Sequence, residues 1–132
     1  PFHKRVNELI HASSNWKTFM HSCGSVFDLI PDFIEAGFDI LNPVQCSATG
    51  MDPATLKRTY GDRIVFWGGG VDTQKTLPFG TPDEVREFCK KVIEGVAQDG
   101  GYIMDAAAIM QDEPKIENVK AMTDFTREYG VY

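Results

Sequence analysis

Several things are scarce in this chain, and each scarcity excludes something. No apolar run among its 132 residues approaches the roughly 20 that a membrane-spanning helix needs, so a transmembrane helix is excluded. Basic residues are in deficit, 13 Lys and Arg against 19 Asp and Glu, for a net charge of −6. That balance speaks against a nucleic-acid or anionic-membrane partner, since either requires a positive face. Cysteine occurs only as Cys23, Cys46 and Cys89, which form neither a CxxC pair nor an even secreted framework. A reducing, cytoplasmic setting is expected. No Ser-His-Asp order and no carboxylate pair is legible. The triple glycine Gly68-Gly69-Gly70 lacks the Lys of a P-loop, and GxGxxG fails because Thr73 stands at the last glycine position. The chain opens on Pro1-Phe2 with no charged start and apolar core of a signal peptide, so it reads as one partial domain, residues 1–132, cut from a longer protein.

What is present is regular. Four short β-rich apolar runs recur, Lys17 to His21, Phe38 to Asn42, Arg63 to Trp67 and Tyr102 to Met104. Each ends in residues that break strands: Cys23-Gly24, Asn42-Pro43, the three glycines, and Asp105. Helical patterns lie between them. Thr81-Pro82-Asp83-Glu84 is a capping box with proline at the first helical position, followed by Val85, Phe88, Val92 and Val96 on one face. Cys89 falls on the apolar side of that helix and reads as core. Asp52-Pro53 opens a short helix that Gly61 closes. Ser25 is placed to cap a helix carrying Phe27, Ile30, Phe33 and Ile34, with Pro31 either kinking it or marking its true start. A last helix carries Ile116, Val119, Met122, Phe125 and Tyr129, and a first one carries Val6, Leu9 and Ile10. The order α-βα-βα-βα-βα predicts an α/β fold with a parallel sheet: four βα units that make either a small open sheet or half of an eight-stranded barrel. A half-barrel would expose its first and last strands and invite pairing with a second copy.

In either fold the chemistry belongs at the carboxyl ends of the strands. His21 and Cys23 stand two residues apart at the first such end, and period-two alternation turns them to one face. Imidazole and thiolate together suit Zn²⁺, although a satisfied histidine beside a packed thiol is the plainer alternative. A catalytic zinc takes three protein ligands, and the available third donors are Cys46, from the neighbouring unit, and Asp105. Consecutive glycines at Gly68-Gly69-Gly70 suggest close approach of a ligand to backbone N–H groups, or simply a tight turn. Asp72 and Gln45 are positioned to meet a substrate or to brace their loops. Met51, Met104 and Met110 read as packing. His3 and His11 lie on the first helix, away from this end.

From His21 to Gly130 the chain resembles the C-terminal half of the uroporphyrinogen decarboxylase superfamily. The stretches that carry the resemblance are HSCGSVFDLIPDFIEAGFDILNPVQ, MDPATLKRTYGDRIVFWGGGVDTQ, LPFGTPDEV and IENVKAM. The resemblance implies the last four strands of a (β/α)₈ barrel. It implies either a zinc-dependent methyltransferase, moving a methyl group between a corrinoid and a thiol, or a cofactor-free uroporphyrinogen decarboxylase. A non-catalytic module that binds a tetrapyrrole or corrinoid is the third possibility. The His-x-Cys pair matches two zinc ligands of the methyltransferases. Their third, a cysteine, aligns with Ala108, and Gly70 replaces the asparagine usual in the decarboxylases. The resemblance also implies that the decarboxylases' catalytic aspartate and carboxylate-binding arginines lie in an N-terminal half-barrel that this chain does not include.

Overall fold

The computed structural model describes residues 1–107, 110 and 113–130. Four strands, β1 (Phe19–His21), β2 (Ile40–Asn42), β3 (Val65–Trp67) and β4 (Tyr102–Ile103), form one parallel sheet in the order β1-β2-β3-β4. That unbroken sequential order is the singly wound arrangement of a (β/α)₈ barrel. A doubly wound open sheet would reverse its strand order at a switch point. The strands are shorter than the apolar runs: β1 and β2 begin just after Thr18 and Asp39, which bond each other through their side chains (below), and ahead of β3 the Arg63 and Ile64 N–H groups still donate to Tyr60 O.

The helices are α1 (Phe2–Ser13), α2 (Ile30–Glu35), α3 (Pro53–Tyr60), α4 (Thr76–Phe79), α5 (Pro82–Val96) and α6 (Ile116–Tyr129). Helix α5 starts where its sequence says: Thr81 Oγ1 accepts from Glu84 N, and Glu84 Oε2 accepts from Thr81 N at 2.7 Å. Its buried positions are Val85, Cys89, Val92 and Val96. Helix α3 is capped by Asp52, whose side chain accepts from Thr55 N at 2.9 Å.

Three local expectations change. Pro31 marks the true start of α2, after a 3₁₀ turn at Phe27–Leu29, and Ser25 gives its hydroxyl to Thr49 O instead of capping. Helix α6 buries Asn118, Ala121 and Met122 and packs Val119 and Phe125 against the same cluster, but Ile116 is 84% exposed, so the apolar stripe faces inward at its centre and not at its ends. Helix α1 likewise buries Asn7, which donates to Ala36 O at 2.9 Å, while Val6 and Leu9 face outward.

One face of the sheet packs on the helices. Met20, Leu41, Phe66 and Tyr102 are mutual register partners across the four strands and point into this layer. They meet Ile30, Leu56, Val92 and Val96 there. A second cluster of Val71, Leu77, Val85, Cys89 and Ala121 joins α4, α5 and α6. The opposite face carries Phe19, Ile40 and Val65 in one row and His21, Asn42, Trp67 and Ile103 in the next. Phe19 is 44% exposed and Ile103 38%. In a closed barrel these residues would fill the interior. Among the described residues no helix is long and apolar enough to cross a membrane.

Candidate functional site

The bare face ends in a row of polar side chains at the carboxyl edge of the sheet. Cys23 Sγ lies 3.5 Å from His21 Nε2, so the structure brings together the two donors that the HxC spacing pairs, and both are exposed. On its other side the ring meets Asn42: His21 Nδ1 and Asn42 Oδ1 are 2.8 Å apart. His21 and Asn42 are register partners on β1 and β2, and Ser22 N donates to Asn42 O at 2.8 Å just beyond them. Asn42 Nδ2 continues the row to Trp67 O at 3.5 Å. The Trp67 indole then donates from Nε1 to Asp105 Oδ2 at 3.0 Å. Phe19 packs edge-on against the Trp67 ring, centroids 5.3 Å apart, and holds it in place. Asn42 and Trp67 were not singled out from the sequence. Their position in the terminal row, set by register, is what marks them.

The remaining candidates are placed differently. Asp105 spends one oxygen on Trp67 and the other on Ala106 N at 2.8 Å, so both are engaged within the sheet edge. Cys46 turns toward the helices and lines a cavity of about 280 Å³ with Asp52, Phe88 and Lys91. Burial, reinforced by the Asp52 carboxylate, pushes its thiol up to about 12, which opposes the thiolate that a metal ligand must be. Among the described residues no group of three His, Cys, Asp or Glu side chains is close enough to hold a metal ion. Ala108, the position aligned with a third ligand, lies outside the described residues.

Gln45 braces two loops, accepting from Gly24 N at Oε1 at 3.0 Å. Asp72 is buried at 5% exposure, where its Oδ1 accepts from Ser47 Oγ at 3.4 Å and Gln74 N at 3.3 Å. The triple glycine offers no cradle of free N–H groups. Gly68 N donates to Ile103 O, Gly69 N to Ala106 O and Gly70 N to Asp105 O. These glycines are buried because loops close over them: at Gly69 (φ +85) an added Cβ would run into Val44 O and Cys46 Sγ. Met51 is fully buried and Met104 half-buried, whereas Met110 is 42% exposed.

The fit to zinc is therefore partial. An imidazole nitrogen and a sulfur converge, and the ring is held from behind as ligating histidines are. Two of the tetrahedral positions are supplied and the third protein donor is not among the described residues.

Residues 1–129 match the family model described as "Uroporphyrinogen decarboxylase (URO-D)". No curated protein sequence matches the chain. Among solved structures the fold is similar to a methyltransferase from Methanosarcina mazei, with a TM-score of 0.73 and 23% sequence identity. The alignment covers 97% of this chain but 36% of that protein, so the chain spans about a third of its length. At that identity the likeness concerns the fold.

Proposed function

Because this chain belongs to the uroporphyrinogen decarboxylase family, we propose that it forms part of the active site of a methyltransferase that moves a methyl group between a corrinoid and a thiol. His21 and Cys23 would be two of its zinc ligands. The observation that supports this reading is the donor pair itself, Nε2 and Sγ at 3.5 Å on an exposed strand end. When bound, zinc would hold a substrate thiol as its thiolate near neutral pH, the nucleophile that methyl transfer requires. The chain's own residues have simpler tasks. Cys23 gives up its proton to act as a ligand, and His21 presents the lone pair of Nε2. The third donor and the remaining wall of the pocket would come from residues beyond those described, including four further βα units closing over the bare face. A corrinoid-carrying protein and a cytoplasmic setting follow from the same reading, and a second copy is the competing occupant of that face.

A second reading has a specific observation behind it. The matched family model is described as uroporphyrinogen decarboxylase, and a carboxy-lyase acting on a porphyrinogen without a metal would need no third donor beside His21 and Cys23.

Metal content of the purified chain tests the choice. The expected result is about one zinc per chain in the wild type and none in Cys23→Ser. Well-folded wild type without zinc, in a full-length parent that releases CO₂ from a porphyrinogen, would establish the second reading instead.

A further inference from the structure

We propose that Asn42 is a positioning residue that sets the tautomer of His21. The inference deepens the preceding reading, and it rests on that reading only for what the freed nitrogen does. Trp67 O can only accept, so the Asn42 atom facing it at 3.5 Å is the nitrogen Nδ2. The amide oxygen is then the atom that faces His21, and it too can only accept. His21 Nδ1, 2.8 Å away, must therefore carry the proton. A neutral imidazole protonated at Nδ1 leaves its lone pair on Nε2, and Nε2 is the nitrogen that looks at Cys23 Sγ.

Left alone in water, a histidine side chain prefers the other tautomer, with the proton on Nε2. That form would aim an N–H at the place where a donor is wanted. Asn42 reverses the preference, and its own orientation is fixed by backbone that cannot rotate. Trp67 O also accepts from Val44 N at 3.1 Å, and Asn42 O accepts from Ser22 N. The device spans β1, β2 and β3 at their last residues, which only the parallel register can align.

The tautomer is read directly from ring ¹⁵N shifts of the metal-free chain near pH 8, where an ordinary imidazole is neutral. A His21→Gln sample identifies the signals. Wild type should show His21 protonated at Nδ1. Asn42→Ala should revert mainly to the Nε2–H form, and Asn42→Asp, which still accepts at Nδ1, should keep the wild-type pattern. Zinc affinity should fall roughly 10- to 100-fold in Asn42→Ala and recover in Asn42→Asp. An Nε2–H majority in wild type, or a tautomer indifferent to Asn42→Ala with Asn42→Asp confirming a folded site, overturns the proposal. The two readings fail separately. Tautomer control without zinc binding leaves the positioning role standing and removes the metal, whereas zinc binding with an unresponsive ring does the reverse.

Discussion

Trp67 donates its indole N–H to Asp105 Oδ2 at 3.0 Å, tying the end of β3 to the residue two places beyond β4. The Asp105 carboxylate is thereby occupied: its second oxygen accepts from Ala106 N. Asp105→Ala should therefore leave zinc content unchanged while shifting the emission of Trp67, read in a Trp16→Phe background. The stability cost is on the order of 1 to 2 kcal/mol, as befits two bonds to an exposed carboxylate. A loss of zinc in this variant would restore Asp105 as the third ligand.

The three thiols should differ sharply in reactivity. Cys23 is exposed, whereas burial pushes both Cys46 and Cys89 up to about 12. A raised pKa keeps a thiol protonated and unreactive at neutral pH. Iodoacetamide at about pH 8 should modify Cys23 alone, as read by mass spectrometry, and zinc should protect it. Rapid labelling of Cys46 would contradict its packing against the core from within the β2–α3 loop.

Asp39 anchors the opposite end of the sheet. Its Oδ2 accepts from Thr18 N at 2.7 Å and Thr18 Oγ1 at 3.0 Å and lies 2.8 Å from His11 Nε2, joining α1 to the start of β2. Burial acts to raise its pKa, but the Thr18 and His11 bonds together outweigh it and hold the carboxyl below its ordinary 3.8. With the folded value depressed, the stabilisation is complete above the unfolded value and is lost as pH falls through the folded one. Asp39→Asn should cost about 2 kcal/mol at neutral pH, and its urea midpoint should fall less than that of wild type on acidification below about pH 4.

Gly69→Ala should destabilise by at least about 2 kcal/mol, because a side chain at positive φ is strained and the new Cβ meets a backbone oxygen. Gly100, also at positive φ (+79) but with nothing within 4 Å of the added atom, provides the comparison. Gly100→Ala should cost about 1 kcal/mol, the backbone strain alone. Equal urea midpoints for the two variants would show that the loops around Gly69 yield.

Much of the architecture is written locally. Alternating apolar runs, Asp52, the Thr81–Glu84 box and Gly61 act within a few residues of themselves, so they set the βα units wherever the rest of the chain goes. The HxC spacing likewise sufficed to put His21 and Cys23 side by side, because two residues apart they are neighbours along the chain, although Cys23 already lies beyond the end of β1. What the sequence could not determine involves partners distant along the chain. Only the register of β1 on β2 sets Asn42 beside His21, and only the pairing of β3 with β4 consumes the glycine N–H groups and Asp105. The turn of Cys46 toward Asp52 and Lys91, and the burial of Asn7 and Asn118, were decided the same way. A polar side chain takes whatever complementary atom the assembled fold sets within about 3 Å, and such distances exist only once the strands have paired and the helices have packed.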